Sequence, residues 1–294
     1  MTTSNHVRER IKILGAEYNR FSTGKESLLK IINEAELSES VFNSNAIENS
    51  TLTLKETEKI LLDKEVSRNV SIREIFEAKN LARVMEYFEL KRNELSLTSE
   101  TILLVHKMLI ENIDDNIAGC FRTKNEYVRV GSHIALPPEH VERMVDAILS
   151  EYESNIDDYP IDKIAKFHLD FETIHPFLDG NGRIGRVIVN FQLNKLGFPN
   201  LIIRDKEKKI YYQSFRDYND SKNTKTMEKI IVLASLESLH KRISYLKGES
   251  IIYLSEYAKS SEKSLNSLIN LARRQTIPAF RERGVWKIGA ETTI

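Results

Sequence analysis

Long stretches of this chain contain neither glycine nor proline, the two residues that most often interrupt regular secondary structure. The 294 residues include 11 glycines and 6 prolines, and residues 25–118 have none of either. Apolar residues in these stretches recur at helical spacing, as over residues 24–48, 72–90 and 98–113. The sequence therefore predicts an all-α fold for the body of the protein.

The overall charge is balanced, with 43 Lys or Arg residues against 43 Asp or Glu residues. This balance gives no global argument for binding nucleic acid or a membrane. The sequence has no signal-like segment and no apolar run of membrane-spanning length, so we expect a cytoplasmic protein. The single cysteine, Cys120, excludes an intramolecular disulfide and a cysteine-based zinc cluster, and we expect it to be buried as a small apolar residue.

Two segments depart from the helical pattern. Residues 121–134 alternate and turn like a short β-hairpin. Residues 250–294 carry seven Lys or Arg and four Asp or Glu, which gives this piece a net charge of +3. We therefore predict three parts, namely an N-terminal helical region (1–95), a central core (96–246) and a small C-terminal domain (247–294).

The densest group of chemically useful residues is the segment HPFLDGNGRIGR, which begins at His175. A histidine is largely neutral at pH 7 and able to accept a proton. A carboxylate such as Asp179, beside a phosphate site, is a usual ligand for Mg²⁺. The glycine-bearing turn that follows leads into a helix, whose first N–H groups favour anions. Arg183 and Arg186 share a face near that helix start, where positive charge opposes the helix dipole unless a polyanion lies between them. Together these groups indicate phosphoryl or nucleotidyl transfer.

The same segment resembles the signature of the Fic family, H-P-F-x-D-G-N-G-R-x-x-R, and matches it at every defined position. The resemblance implies an all-α Fic core with a β-hairpin flap, and transfer of AMP from ATP to Tyr, Thr or Ser hydroxyls of target proteins and of the chain itself. It implies that His175 deprotonates the hydroxyl and that Asp179 holds Mg²⁺. Related Doc toxins, which phosphorylate, have Lys where this chain has Gly182, so AMP transfer is favoured over phosphate transfer.

The resemblance also assigns ATP-binding residues. These are Gly180, Asn181, Gly182, Arg183, Gly185, Arg186, Tyr212 and Asn219. Within this set, Asn181 would contact the α-phosphate and Arg186 the γ-phosphate. For Tyr212 and its neighbour Tyr211, simple helix packing is an equal alternative. We expect His168 to be a packed helix residue that supports the site.

The predicted hairpin resembles the family's flap, which pairs with an extended segment of the target. The flap residues are Val130, Gly131, Ser132 and His133. A free strand edge pairs through its backbone, so the flap alone gives little side-chain specificity.

Residues 44–49, SNAIEN, resemble the family's inhibitory motif, S/T-x-x-x-E-G/N. By this analogy Glu48, which shares a helix face with Ser44, pairs with Arg186 and excludes the γ-phosphate of ATP. The alternative is an ordinary solvated helix end. A further hypothesis is that Glu48 positions a water, which would give removal of AMP as a second activity.

The C-terminal piece resembles the winged helix-turn-helix of excisionase-type proteins, through I-P-A-x-R at residues 277–281 and the nearby Trp286. Such a fold inserts its second helix into the major groove of DNA, and the alternative is docking to a partner or to the core. Two other functions stay open, a DNA-binding regulator with a nucleotide-sensing Fic domain and an enzyme that removes AMP. A homodimer that masks or frees the inhibitory helix is also left open.

Overall fold

The computed structural model describes residues 3–64, 69–130 and 133–293, and these parts of the chain are mainly helical. The helices are α1 (Asn5–Ser22), α2 (Glu26–Ile47), α3 (Leu54–Leu61), α4 (Ile72–Lys91), α5 (Ser99–Ile110), α6 (Val141–Ser154), α7 (Pro160–Ile174), α8 (Asn181–Lys195), α9 (Lys208–Ser221), α10 (Lys225–Lys247), α11 (Leu254–Ser260) and α12 (Leu265–Arg273). The strands are β1 (Arg129–Val130), β2 (His133–Ile134), β3 (Ile251–Tyr253), β4 (Phe280–Glu282) and β5 (Val285–Gly289). The predicted all-α core is confirmed.

Local sequence explains where several helices begin. Thr53 caps α3 in a capping box, because its side chain accepts the N–H of Glu56 while Glu56 accepts the N–H of Thr53 at 2.8 Å. Ser71 and Thr98 cap α4 and α5 through their side-chain oxygens, which accept the N–H groups of Glu74 and Thr101. A helix over residues 5–22 was not predicted, because α1 is mostly polar and buries Ile11 as its one fully enclosed apolar anchor.

α7 and α8 lie at the centre of the fold, and apolar cores form on both of their sides. One core lies between these two helices and α4, α5 and α6, and it includes Phe171, Ile184 and Phe191. The other lies between α7, α9, α10 and α1, with Leu169 and Val189 buried in it. The loop that joins α7 to α8 is therefore held between two packed helices.

The hairpin between α5 and α6 is shorter than the predicted segment. β1 and β2 are antiparallel, with Arg129 opposite Ile134 and Val130 opposite His133. The predicted flap residues Gly131 and Ser132 lie outside the described residues. Cys120 precedes this hairpin and is exposed, so its predicted burial is wrong. The reason is that it lies in a connecting segment, and such segments run over the protein surface.

The C-terminal residues form a small unit with its own core, as the winged-helix prediction requires. β3, β5 and β4 make an antiparallel sheet in that order, with Ile252 opposite Ile288. α11 and α12 pack on it through residues such as Leu254 and Leu268. β3 was not predicted, because a strand of three residues has too little pattern to be recognised.

The turn between β4 and β5 contacts α2 directly. Arg283 and Gly284 both have positive φ, at 52° and 77°, as a tight two-residue hairpin turn requires. Their N–H groups donate to the two carboxylate oxygens of Glu39, at 3.0 and 3.1 Å. Arg204 forms ion pairs with this buried carboxylate and with Glu237 of α10. A buried polar network thus links the C-terminal unit, α2 and α10.

Among the helices described, none combines the length and apolar character that crossing a bilayer requires.

Candidate active site

The loop between α7 and α8 carries His175 at its first position. His175 ends α7 in the left-handed conformation, with φ 51° and ψ 63°. Its carbonyl oxygen accepts a hydrogen bond from Nε of Arg122 at 2.7 Å. The buried Arg122 guanidinium also donates to the carbonyl oxygens of Glu126 and Leu136, each at 2.8 Å. Arg122 therefore fixes the backbone at His175 relative to the segment that bears the hairpin.

Asn181 closes the same loop from within. Its side-chain amide donates to the Phe177 carbonyl at 2.8 Å and accepts the Phe177 N–H at 2.9 Å. These two hydrogen bonds hold the buried Asn181 side chain against the loop backbone, and the predicted contact between Asn181 and an α-phosphate stays a prediction.

His106 of α5 packs against the loop between α7 and α8. Its ring stacks on Phe177 with the centroids 3.6 Å apart. Nδ1 accepts the N–H of Gly119 at 3.0 Å, so the ring proton is on Nε2, which donates to the carbonyl of Asp179 at 3.0 Å. Burial lowers the pKa of His106 to about 4, which keeps this bridge in its neutral form.

The start of α8 presents a surface suited to an anion. Gly180 precedes the helix with φ 83°, and no side chain caps the first turn. The uncapped N–H groups and the helix dipole favour negative charge there. A Cβ on Gly182 would overlap Oε1 of Glu48, and one on Gly185 would lie 2.7 Å from Oε1 of Glu172. Glycine at these positions therefore permits the close approach of Glu48 and of α7.

The imidazole of His175 is in the protonation state that a base requires. Its side chain is 19% exposed, and burial lowers its pKa to about 4, so it is neutral at pH 7. Nδ1 lies 3.9 Å from Oε2 of Glu172. Burial, followed by the charge of Glu48, raises the pKa of Glu172 to about 8, so this neighbour is also neutral at pH 7.

Asp179 lies between two arginines. Oδ1 accepts Nη2 of Arg183 at 3.0 Å and the Gly180 N–H at 2.6 Å, while Oδ2 pairs with Arg73 of α4. Burial would raise the pKa of Asp179, but the charges of Arg183 and Arg73 outweigh it and lower that pKa.

These residues fit a magnesium ion that arrives with a nucleotide. Within the described part of the chain, no three His, Cys, Asp or Glu side chains form a metal cage. Mg²⁺ is commonly held by one or two carboxylates together with substrate phosphates, so a single partly exposed Asp179 is sufficient.

Arg186 is held by the end of α2. Nε donates to Oγ of Ser44 at 2.9 Å, and Nη2 donates to the Ser44 carbonyl at 2.8 Å and lies 2.9 Å from Oε1 of Glu48. Burial would lower the pKa of Arg186, but the interactions with the Tyr211 hydroxyl and with the Glu48 carboxylate raise it, so the guanidinium stays charged. The predicted contact between Glu48 and Arg186 is present, and its effect on activity stays a prediction.

The aromatic residues of α9 contact the same region. Tyr211 is buried and its hydroxyl lies 2.7 Å from Nε2 of His168, a fully buried residue that packs as predicted. The hydroxyl of Tyr212 donates to the carbonyl of Ile47, the last residue of α2, at 3.0 Å. Asn219 accepts a hydrogen bond from Thr173 of α7 at 3.3 Å. Tyr212 thus holds the helix end that carries Glu48, and the ATP-binding roles of Tyr212 and Asn219 stay predictions.

The local sequence gave no signal for Arg73, His106, Arg122 or Glu172. Each reaches the loop through a contact that only the tertiary fold creates, apart from Glu172, which lies one turn before His175.

Residues 96–193 match the model of the Fic/DOC family. The match covers about a third of the chain, and this segment contains both α7 and the loop that follows it. The chain is 31% identical over 185 residues to a protein adenylyltransferase Fic of Drosophila willistoni, an alignment that covers 61% of this chain and 36% of that one. The chain thus spans well under half the length of that curated relative.

Solved structures agree over a larger share of the chain. A Fic domain containing signalling protein from Bacteroides thetaiotaomicron superposes with a TM-score of 0.73 at 25% identity, covering 82% of this chain and 97% of that one. The structure of a Fic family protein from Desulfovibrio desulfuricans superposes with a TM-score of 0.69 at 19% identity. The superposition covers 100% of this chain and 98% of that one. At that identity the second likeness concerns the fold alone.

Proposed function

We propose that this chain is an autoinhibited protein adenylyltransferase, which transfers AMP from ATP to Tyr, Thr or Ser hydroxyls of target proteins and of itself. The observation that carries the proposal is a neutral His175 placed beside an uncapped helix start and a carboxylate. The naming of the Drosophila relative as a protein adenylyltransferase supports the same reaction.

His175 takes the proton of the target hydroxyl, and the hydroxyl oxygen then attacks the α-phosphorus of ATP. The bond from that phosphorus to the bridging oxygen breaks, and pyrophosphate leaves with the electron pair. The first N–H groups of α8 stabilise the negative charge that accumulates on the phosphate oxygens. Asp179 is the residue that would hold Mg²⁺, which supplies further positive charge to the triphosphate when bound.

Inhibition follows from the position of Glu48. Arg186, the predicted ligand of the γ-phosphate, already donates to Ser44 and pairs with Glu48. A carboxylate above the start of α8 also repels the triphosphate that would bind there. ATP adopts the reactive pose only after Glu48 has moved away.

Labelling with ATP that carries ³²P in the α-phosphate tests both parts of the proposal. The Glu48→Gly variant should become labelled, the Glu48→Gly, His175→Ala double variant should not, and mass spectrometry should show the mass of AMP rather than phosphate. Glu34→Ala, which changes an exposed carboxylate of the same helix, is the matched control. Equal labelling of the wild type and Glu48→Gly would contradict the autoinhibition.

Removal of AMP is a second candidate reaction. Oε1 of Glu48 lies against Gly182 at the start of α8, where it would orient a water toward the phosphorus of an AMP-bearing hydroxyl. A target that already carries AMP should lose it to the wild type faster than to Glu48→Gly. The opposite order would exclude this role for Glu48.

DNA binding by the C-terminal unit is a separate proposal with a smaller basis. Arg281, Arg283 and Lys287 form ion pairs with glutamates of this chain. The exposed Arg273, at the end of α12, and Arg274, which follows it, are the proposed basic face. A mobility-shift assay over a range of salt concentrations should detect binding that weakens with salt if this face contacts phosphates. The cytoplasmic location and the homodimer stay predictions.

A further inference from the structure

α4 contributes an arginine to the loop from outside the part of the chain that matches the family. Arg73 pairs with Oδ2 of Asp179 through Nη2 and with Glu77 through Nε, the latter at 3.0 Å. Arg183 completes a ring of four alternating charges, 3.0 Å from Oδ1 of Asp179 and 3.4 Å from Glu77. Each carboxylate therefore faces two guanidinium groups.

The two arginines differ in how firmly they are held. The side chain of Arg183 is 3% exposed, whereas that of Arg73 is 56% exposed at the rim of the site. Asp179 itself is 33% exposed. An exposed ion pair changes an equilibrium constant by up to about fivefold, so Arg73 can leave Asp179 at low cost.

The two oxygens of Asp179 differ as well. Oδ1 is shared between Arg183 and the Gly180 N–H, both of which belong to the loop and the helix that it starts. The contact of Oδ2 is with Arg73. Oδ2 is thus the oxygen that a divalent cation would bind, and in this structure an exposed cationic side chain lies against it.

We propose that the side chain of Arg73 pairs with Oδ2 of Asp179 in the resting chain and competes for this oxygen with the divalent metal ion that enters with ATP. The inference rests on the proposed function. A triphosphate with its metal ion brings positive charge to Asp179 and so takes over the role that Arg73 has in the resting chain. Arg73 is then a positioning residue that sets how much metal the protein needs.

If the ion pair only holds α4 against the loop, the opposite change in metal affinity is expected. In that case Asp179 would lose its orientation without Arg73, and metal would bind more weakly. The two roles therefore differ in the sign of one measurable change.

The experiment is a titration with Mn²⁺, followed by electron paramagnetic resonance of the free ion, on full-length protein saturated with α,β-methylene-ATP. Arg73→Gln should lower the Kd for Mn²⁺ by about three- to fivefold, the size expected for one exposed ion pair. Arg73→Lys, which keeps the charge, should stay near the wild type. Arg83→Gln is the matched control, because Arg83 lies on the same helix, is 47% exposed and pairs with Glu111 instead.

An unchanged or raised Kd in Arg73→Gln would overturn the inference, and so would an unchanged Kd in Asp179→Asn. Thermal unfolding of each variant checks that a change in Kd does not reflect loss of structure. The titration requires no transfer of AMP, so its failure is distinct from a failure of the labelling experiment.

Discussion

Oε1 of Glu48 lies 2.9 Å from Nη2 of Arg186, and this ion pair joins the end of α2 to α8, the helix that follows the loop with His175. The contact is reinforced by Ser44, which accepts the Nε–H of the same guanidinium at 2.9 Å. Ser44 in the last turn of α2 and Glu48, which directly follows that helix, thus satisfy the arginine that is the predicted ligand of the γ-phosphate.

Ser44→Ala should release Arg186 in part. The variant removes one charge-assisted hydrogen bond and keeps Glu48, so we expect labelling between that of the wild type and that of Glu48→Gly. Quantified α-³²P incorporation measures it, with Ser38→Ala on the same helix as the control. Labelling of Ser44→Ala equal to the wild type would mean that Glu48 acts without its neighbour.

Arg122→Ala should disturb the backbone at His175. Four carbonyl oxygens lose their donor, and removing hydrogen bonds from a buried charged group costs about 1.5–3 kcal/mol each before relaxation. We expect the free energy of unfolding to fall by about 3 kcal/mol or more, as measured in urea. Arg143→Ala, on the exposed face of α6, should change it by less than about 0.5 kcal/mol.

The stability of the protein should fall below pH 6.5. Burial lowers the pKa of His106, His168, His175 and His240 to between about 3 and 4. These side chains therefore stay neutral in the folded chain at pH values where the same histidines take up protons in the unfolded chain. Each such histidine lowers the free energy of unfolding by up to about 1.4 kcal/mol per pH unit as the pH falls from 6.5 to 4.

Glu172 acts in the opposite direction on this pH dependence. Its raised pKa of about 8 gives a stabilisation that is present at low pH and lost as the pH rises from 4.5 to 8.

Urea unfolding of the wild type and of His240→Gln between pH 5 and 7 measures the contribution of one buried histidine to this pH dependence. The variant should show the smaller slope, and an equal slope would contradict the neutral state of His240.

Glu39→Ala should weaken the contacts that hold α2 in place. The variant leaves Arg204 without one of its two partners and the turn at Arg283 and Gly284 without its acceptor. Breaking a buried pair on one side costs about 3–5 kcal/mol. We expect a lower midpoint of urea unfolding and more α-³²P labelling than in Glu34→Ala. Normal stability with low labelling would show that α2 is held in other ways.

The sequence revealed the parts of the site that are close together along the chain. His175, Asp179 and Arg186 lie within one loop and helix, so their spacing predicts that they act together. The role of Ser44 and Glu48 came from the family resemblance. Arg122 and Arg73 lie 53 and 106 residues from their partners in the loop. No local pattern marks an arginine that will become a tertiary contact.

The helices were predicted best where they bury a broad apolar stripe, as α7 and α8 do. α1 was missed because its polar surface gives a weak pattern, and β3 because of its length. Cys120 was misjudged because residue type indicates average burial only, whereas the position in a surface connection decides the particular case.

The contact of Glu39 with the turn at Arg283 and Gly284 has a consequence for the order of assembly. Synthesis proceeds from the N-terminus, so α2 and the loop between α7 and α8 are made well before the turn that supports α2. α2, the proposed inhibitory helix, therefore gains its contacts with this turn only after β4 and β5 have folded. If the proposed inhibition holds, the residues proposed to react are made before the contacts that restrain them are complete.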